Sequence, residues 1–219
     1  MTSKISRKTH FPIVLASSSP RRIDLLTQMG LKLETLSPEV DEAPLDGESP
    51  AELVERLACL KAEFAIVPAS QQFGSCIVIA ADTIVVAPNN KDIFGKPATT
   101  AEAMRMLRIL QGQTHTVLTG YCIFKLTVDR KNGQGNIQEL SRVVSSRVTF
   151  RTLSTIDIRN YVATREPMDK AGAYAAQGLG TALIQSIEGS YTNVVGLPIS
   201  ELLSDLEHQF HLPLFGWIQ

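Results

Sequence analysis

The sequence predicts an α/β fold in which helices flank one mixed, twisted sheet. In the first half of the 219-residue chain, short apolar strands alternate with segments that begin at helix-capping signals. In the second half, two long alternating segments at residues 114–127 and 138–151 flank a polar stretch at residues 131–135 that is typical of a hairpin. No repeat, low-complexity tract or interdomain linker divides the chain. We therefore expect an extension at residues 1–10, one domain at residues 11–210 and a tail at residues 211–219.

Each element of the first half is predicted from a local signal. Ser19-Pro20 opens a helix with Pro at its first position, and Gly30 ends it. The patterns Ser49-x-x-Glu52 and Thr99-x-x-Glu102 are capping boxes, each of which opens a further helix. The expected order is strand 11–16, helix 20–29, strand 31–36, acidic loop 37–48, helix 50–67, strand 76–87 and helix 100–110.

The second half is predicted by the same rules. After the hairpin, Ser154 and Asp157 cap a helix that runs to about residue 164. Alternation predicts a strand at residues 181–187. A polar turn at residues 188–193 leads to a further strand, and Leu197-Pro198 begins the last helix.

Composition excludes several classes of protein. The net charge of −1 provides no basic field for nucleic acid, and no apolar segment is long and charge-free enough to span a membrane. The three cysteines are odd in number and lie in apolar segments, so we interpret them as reduced core thiols. The N-terminus lacks the apolar region of a secretory signal. We expect a cytoplasmic protein, and a short organellar presequence is the alternative.

An aspartate inside a buried strand is the strongest indication of a functional site. Asp82 interrupts the apolar, β-branched segment 76–87. A buried carboxylate is costly unless it is paired, hydrogen-bonded or bound to a metal. Asp82 is therefore either a structural carboxylate at a strand end or a catalytic or metal-binding group at a cleft.

Five basic residues are candidate ligands for an anion. Arg21 and Arg22 lie in the first turn of a helix, where their charge opposes the helix dipole, so a phosphate would account for them. Lys61 lies inside an apolar helical stripe, Lys96 lies in a Gly-Lys-Pro turn and Lys170 lies in a segment of small residues. Taken singly, each fits a plainer interpretation: solvated arginines, a lysine at a stripe edge, a surface turn and a packed loop.

The carboxylates available beside these cations are Asp82, Asp169 and either Asp41 or Glu42 of the acidic loop. Cations together with a few carboxylates suit a polyphosphate held with a divalent metal. Because no His or Cys ligand pattern occurs, oxygen ligands predict Mg²⁺ or Mn²⁺ rather than zinc.

The motifs, taken together and in order, resemble the Maf family of nucleoside triphosphate pyrophosphatases, also called septum formation inhibitors. The resemblance covers about residues 12 to 208. The matching segments are Ser17-x-Ser19-Pro20-Arg21-Arg22, Arg56-Leu57-Ala58-x-x-Lys61-Ala62, Ala81-Asp82-Thr83, Gly95-Lys96-Pro97, Asp169-Lys170-Ala171-Gly172-Ala173-Tyr174 and Gly189-x-Tyr191-x-x-Val194-x-Gly196-Leu197-Pro198.

The resemblance implies an elongated, bilobed fold with a deep central cleft, similar to the inosine triphosphatase-like pyrophosphatases. It implies hydrolysis of a nucleoside triphosphate to a monophosphate and pyrophosphate with a divalent cation. The implied proton acceptor and metal ligand is Asp82, and Asp41 is a second metal ligand. The implied substrate contacts are Arg22, Lys61 and Lys96 for the phosphates, Arg21, Thr83 and Gln177 for the base, and Ser17 as a further substrate-binding residue.

The last three residues match the branch that acts on dTTP and UTP, so these nucleotides are the expected substrates. The alternatives are the same reaction on 7-methyl-GTP or another modified nucleotide, and a nucleotide-binding regulator of cell division without turnover. The oligomeric state is left open, a homodimer being one alternative. One geometric condition follows from strand alternation: if Asp82 and Thr83 both face the substrate, the strand must end or bulge there.

Overall fold

A seven-stranded mixed sheet forms the centre of the molecule, as the sequence predicts. The computed structural model describes residues 11–129 and 135–216. Its strands are β1 (Ile13–Ala16), β2 (Leu33–Leu36), β3 (Cys76–Val86), β4 (Ile93–Phe94), β5 (Thr114–Val128), β6 (Gly135–Phe150) and β7 (Ile184–Glu188). Its α-helices are α1 (Pro20–Gln28), α2 (Pro50–Phe73), α3 (Thr100–Leu110), α4 (Thr155–Ala163), α5 (Tyr191–Val195) and α6 (Ile199–His208). Short 3₁₀ turns occupy Glu166–Asp169, Ala171–Ala173 and Gly178–Leu183.

The strand order β2-β1-β3-β5-β6-β7 places β3 near the middle of the sheet. Strand β1 is parallel to β2 and β3, whereas the pairs β3–β5, β5–β6 and β6–β7 are antiparallel. Parallel pairing of β1 with its neighbours follows from the helical connections α1 and α2, and antiparallel pairing of β5 with β6 follows from the hairpin. The predicted α/β class with a mixed sheet is confirmed.

One edge of β3 is only partly paired, and this gap places the site. Strand β5 pairs with β3 along its whole length, from Cys76 to Val86. The opposite edge pairs with β1 at Ile77–Ile79 and with β4 at Val85–Val86. Between these two partners, the backbone around Asp82 has no neighbouring strand among the described residues on that edge. A cleft can therefore reach β3 from its edge.

Helix α2 packs closely against one face of the sheet. The side of α2 that faces the sheet consists of small residues, Ala58, Ala62, Ala65 and Ala69. All four are fully buried, as is Cys122 of β5. Gly120 of β5 permits this approach, because a Cβ atom there would lie 2.3 Å from the carbonyl oxygen of Val54. Gly120 also pairs with Asp82 across the β3–β5 ladder, so the helix and the site residue are set at the same level of the sheet.

Several predicted boundaries are wrong. Helix α2 continues to Phe73 rather than ending near residue 67, although Pro68 removes one hydrogen bond at a cost of about 3 kcal/mol. The burial of Ala65 and Ala69 holds the helix on the sheet beyond the proline.

The strand predicted after Gly189 is instead the short helix α5, which Ser190 caps by accepting a hydrogen bond from the backbone of Asn193. Residues 178–183 form a 3₁₀ turn before β7, and the two-residue strand β4 carried no strand pattern long enough to predict it.

The expected extension at residues 1–10 and the hairpin tip at residues 131–134 lie outside the described residues. In the part of the chain that the structure describes, no helix combines the length and the hydropathy needed to cross a membrane.

A buried histidine makes stability depend on pH. His115 is 2% exposed, is hydrogen-bonded through Nε2 to the Tyr174 hydroxyl at 2.8 Å and is packed edge-on against Phe150 and Tyr174. Burial lowers the pKa of His115 from an ordinary 6.5 to about 4. As pH falls, His115 is protonated near pH 6.5 in the unfolded chain but only near pH 4 in the folded chain. Protonation therefore favours the unfolded state, and the free energy of unfolding decreases as pH drops from about 6.5 to about 4.

We expect His115→Gln, which retains a partner for Tyr174 but does not titrate, to flatten this dependence. Urea unfolding at pH 7 and pH 5 measures it, as the difference in midpoint between the two pH values. A difference of equal size in wild type and variant would contradict the assignment to His115.

Candidate active site

A cleft of about 710 Å³ opens at the unpaired edge of β3. Its walls come from the β1–α1 turn, the acidic loop, α2, β4 and the segments around the 3₁₀ turns. All but one of the predicted site residues line it, and those residues are Ser17, Arg21, Arg22, Lys61, Asp82, Thr83, Lys96 and Gln177. The fold thus brings together residues that are up to 160 positions apart in the sequence.

Asp82 and Lys61 form a buried ion pair in the cleft. The Lys61 ammonium lies 2.6 Å from Asp82 Oδ1 and 2.6 Å from Glu42 Oε1. Lys61 and Asp82 are each 9% exposed. Lys61 lies in the apolar stripe of α2 because it reaches across to β3, so the interpretation as a lysine at a stripe edge is wrong. The pairing compensates the cost of burying Lys61 and Asp82, and the exposed Glu42 gives the ammonium a second partner.

Glu42, rather than Asp41, is the loop carboxylate at this centre. Glu42 lines the cleft, whereas Asp41 is absent from its wall and accepts a hydrogen bond from the backbone of Ala43 at 3.0 Å. Burial raises the pKa of Glu42, but the hydrogen bond from Lys61 and the charges of Lys61, Lys96 and Arg22 outweigh it, so the pKa is lowered overall. The choice between the two neighbours could not be made from sequence, because it depends on how an irregular loop turns.

Arg22 is fixed by four hydrogen bonds to the protein. Its Nε donates to the Gly196 carbonyl at 2.8 Å, and one terminal nitrogen donates to the Ala81 carbonyl at 2.6 Å and to Ser17 Oγ at 3.3 Å. The other terminal nitrogen donates to Thr83 Oγ1 at 3.0 Å. Burial lowers the pKa of Arg22, an effect that the charge of Asp82 partly offsets. Arg22 therefore joins α1, β3 and the turn before α6 at the bottom of the cleft.

Asp82 and Thr83 lie on opposite faces of β3, as alternation requires. The strand neither ends nor bulges there, because its pairing with β5 continues in register from Cys76 to Val86. Asp82 points toward α2 and Lys61, whereas Thr83 shares hydrogen bonds with Arg22, Thr119 and the Gly196 carbonyl. Both residues still line the cleft, because it meets β3 at its unpaired edge and so reaches both faces.

A second ion pair spans the cleft between α1 and the 3₁₀ turns. Arg21 donates to Asp169 Oδ2 at 2.9 Å and to the Asp169 carbonyl at 3.2 Å, and Lys170 lies 2.5 Å from Asp169 Oδ1. Burial raises the pKa of Asp169, but these two cations lower it to about 2. The positive charges of Arg21 and Lys170 are thus partly neutralised by Asp169, which leaves less of them to bind an anionic ligand.

Lys96 and Gln177 remain available to a ligand. Both are exposed side chains on the cleft wall, and neither takes part in a side-chain hydrogen bond among residues 11–129 and 135–216.

The carbonyls of Ala81 and Gly196, which accept hydrogen bonds from Arg22, are contacts that the sequence did not predict. The Gly196-Leu197-Pro198 motif was the available signal, but no sequence pattern identifies the partner of a backbone oxygen.

The donor set fits a divalent metal ion with oxygen ligands. Asp82 Oδ2 and Glu42 Oε2 accept no hydrogen bond within the described part of the chain, and both residues line the same cleft. Mg²⁺ is usually held by one or two carboxylates together with waters and substrate phosphates. Two carboxylates, a buried lysine and an exposed lysine around one cavity can bind a polyphosphate, hold a metal ion and accept a proton from water.

Comparisons with known proteins identify the family of this chain. The family model described as Maf-like protein matches residues 12–209. A protein of Pelotomaculum thermopropionicum named dTTP/UTP pyrophosphatase is 47% identical over 195 residues, which are 89% of this chain and 95% of the relative. Proteins of the same name from Symbiobacterium thermophilum (46% over 203 residues, 93% of this chain and 96% of the relative) and Geobacter sulfurreducens (44% over 194 residues, 89% and 94%) are similarly close.

Among solved structures, the Staphylococcus aureus Ham1 protein is 16% identical and covers 90% of this chain and 99% of its own, with a TM-score of 0.43. The match to the family model spans most of the chain and includes every motif that lines the cleft. The relatives are well above 30% identical over most of both lengths. This chain belongs to the Maf family.

Proposed function

We propose that this protein is a nucleoside triphosphate pyrophosphatase that hydrolyses dTTP and UTP to the monophosphate and pyrophosphate. Water adds to the α-phosphorus, the α–β anhydride bond breaks, and pyrophosphate leaves. The observation that carries the proposal is the Asp82–Lys61–Glu42 centre at the unpaired edge of β3, in which Asp82 and Lys61 are buried, in a cleft that also holds Lys96. The names of the relatives support the same reaction and the same two nucleotides.

In this proposal, Asp82 accepts the proton of the attacking water or holds the metal ion that lowers the pKa of that water. Both roles need a carboxylate oxygen that faces the cleft, and Asp82 Oδ1 accepts a hydrogen bond from Lys61 at 2.6 Å. Asp82 and Glu42 would hold Mg²⁺ or Mn²⁺, which when bound stabilises the charge that develops on the phosphate oxygens. Lys61 and Lys96 bind phosphate oxygens, and Arg22 holds the bottom of the cleft in shape. The predicted phosphate contact of Arg22 is therefore limited to the one donor hydrogen that its four protein contacts leave over.

The proposal is tested by pyrophosphate release from the purified full-length protein. A panel of dTTP, UTP, CTP, ATP, GTP and 7-methyl-GTP is assayed with Mg²⁺, with Mn²⁺ and with chelator. We expect metal-dependent release of equal amounts of monophosphate and pyrophosphate, fastest with dTTP and UTP. Binding without turnover would favour the regulator instead, and fastest turnover of 7-methyl-GTP would favour the modified-nucleotide branch. The cytoplasmic location and the oligomeric state stay predictions.

Gln177 is the residue that we expect to select the base. Thymine and uracil present an N3–H donor beside an O4 acceptor, which the carbonyl and NH₂ groups of one amide complement. Guanine presents two adjacent donors, which a carboxylate complements better. Gln177 is exposed on the cleft wall, so its amide is free to meet a base.

We therefore expect Gln177→Glu to depress dTTP and UTP turnover and to shift the relative preference toward guanine nucleotides. A mismatched base leaves polar groups unpaired, which permits strong discrimination. The measurement is kcat/KM for UTP, dTTP and 7-methyl-GTP, with Gln72→Glu on the exposed end of α2 as a control. Unchanged ratios among the three substrates would reject base reading by Gln177.

A further inference from the structure

Two cysteines and a glutamate converge outside the cleft, where α2 packs on the sheet. The ligand atoms of Cys59, Cys122 and Glu139 all lie within 4.8 Å of one another. Cys59 comes from α2, Cys122 from β5 and Glu139 from β6. Cys122 pairs with Ser141, two residues from Glu139, so the β5 and β6 side chains point to the same face as the helix. No other trio of histidine, cysteine and carboxylate side chains within residues 11–129 and 135–216 is as close.

The surroundings of the two thiols are negatively charged. The charges of Glu63 and Glu139 act on both sulfurs, and that of Glu55 acts on Cys59. Reactive cysteines usually lie near positive charge, because it stabilises the thiolate. Carboxylates around a pair of thiols instead attract a cation, so the charge pattern favours metal binding over thiol chemistry.

Cys59 connects the cluster to a cavity, although Cys122 is fully buried. Cys59 is half-buried and lines an open cavity of about 590 Å³ together with Glu48, Glu52 and Glu55. Within the described part of the chain, the one positively charged side chain on that wall is Arg56, which forms an ion pair with Glu48 at 2.5 Å. Ser141 donates to Glu55 Oε1 at 2.6 Å and so orients a carboxylate beside the cluster. A cation can therefore enter from this cavity through a wall of acidic residues.

We propose that Cys59, Cys122 and Glu139 form a second metal site, distinct from the cleft, for a thiophilic divalent cation such as Zn²⁺. Two thiolates and one carboxylate are ligands that Zn²⁺ accepts, and water takes the fourth tetrahedral position. Two sulfurs bound to one zinc ion are about 3.8 Å apart at the tetrahedral angle, given bonds of about 2.3 Å, so small side-chain rotations complete the site. Hard Mg²⁺ does not compete there, because it prefers oxygen ligands.

The role of this site is to tie α2 to the sheet. Its three ligands lie on three different elements, and α2 also carries Lys61 of the cleft. Metal binding to the folded chain stabilises it by mass action. Because the ligands are not part of the cleft, we expect the bound ion to raise thermal stability and to leave turnover at saturating Mg²⁺ unchanged.

The test uses full-length reduced protein, stripped by chelator, in an Asp82→Asn background that removes the cleft carboxylate. Equilibrium dialysis against Zn²⁺ with elemental analysis gives the stoichiometry, and ultraviolet thiolate-to-metal charge-transfer absorption on adding Cd²⁺ reports sulfur ligation. We expect one ion per chain. Cys59→Ser should weaken binding by at least about 100-fold and Glu139→Gln by about tenfold or more, since even outer-shell changes cost about 10–100-fold.

Two control variants separate the site from general effects. Glu63→Gln removes a nearby exposed charge that is not a ligand, and Cys76→Ala removes a buried thiol elsewhere in the sheet. Both should keep Zn²⁺ affinity within about threefold of the parent, and both should keep the rise in melting temperature that Zn²⁺ produces. Cys59 and Glu139 are not fully buried, so their variants are expected to fold, and urea unfolding without metal checks this.

Two outcomes would overturn the proposal. The first is Zn²⁺ binding that survives Cys59→Ser and Glu139→Gln. The second is a protein that binds no Zn²⁺ but forms a Cys59–Cys122 disulfide with added oxidant, seen as a loss of two free thiols by thiol titration. Pyrophosphate release by wild-type protein and by Cys59→Ser, with Asp82 intact, is measured separately, so failure of this site and failure of the proposed activity are distinguishable.

Discussion

Asp82→Asn is expected to reduce kcat for UTP and dTTP by about 10²–10⁴-fold, which is the usual loss when a general base is removed. The substitution keeps the size of the side chain and removes its charge. The amide can neither accept the proton of water nor bind a divalent cation as an anion. The loss should therefore appear with every accepted nucleotide and with either metal.

The fold should survive this change. A neutral amide is easier to bury than a carboxylate, and Lys61 keeps Glu42 as its partner at 2.6 Å. The matched control is Asp24→Asn, which neutralises an exposed carboxylate of α1 outside the cleft wall. Melting temperatures of the two variants exclude unfolding as the cause. Turnover of UTP by Asp82→Asn near the wild-type rate would remove Asp82 from the mechanism.

Arg22→Lys is expected to have the second largest effect, although it keeps the charge. A guanidinium holds Ser17, Thr83 and the carbonyls of Ala81 and Gly196 at once, whereas an ammonium on a flexible stem cannot reproduce that planar arrangement. The Ala81 carbonyl then loses its donor and the Gly196 carbonyl keeps only the longer contact from Thr83 at 3.3 Å, at a cost of about 2–4 kcal/mol of folding stability. The same change loosens the bottom of the cleft, so we expect kcat/KM to fall by about 10²-fold or more on every substrate.

The comparison is with Arg159→Lys, an exposed arginine of α4 outside the cleft wall. Urea unfolding measures the loss of stability, and kcat/KM for UTP, dTTP and 7-methyl-GTP is measured well below the melting temperature of the variant. A change confined to the ratio between bases would show that Arg22 reads the base. Wild-type stability would show that its four hydrogen bonds contribute little.

Much of the site was predictable because its residues contradict their local pattern. Asp82 interrupts a buried strand, so its burial predicts that it needs a partner, whereas Lys61 in its apolar helical stripe also fitted a lysine at a stripe edge. The structure makes them partners of each other. The capping boxes at Ser49 and Ser154 were predictable for a similar reason, since a cap is a bond between residues three positions apart.

Other features depended on contacts between distant segments. No local signal selects Glu42 over Asp41, because a loop without regular dihedrals does not fix which side chain points inward. The continuation of α2 past Pro68 is likewise decided by packing of Ala65 and Ala69 on the sheet, which outweighs a local propensity to end. The bonds of Arg22 to backbone carbonyls have no signature in side-chain type.

The sequence by itself determined the α/β class, the order of most elements and the residues that cannot lie in an apolar core unpaired. Periodicity, capping and the cost of buried charge are local properties, so they can be read along the chain. The tertiary structure alone decided where those residues meet. The site exists because β1 and β4 share one edge of β3 and leave it unpaired at Asp82, which allows one cleft to reach both faces of a regular strand. Strand pairing is non-local, and its register depends on packing over the whole sheet, so no segment of the sequence specifies it.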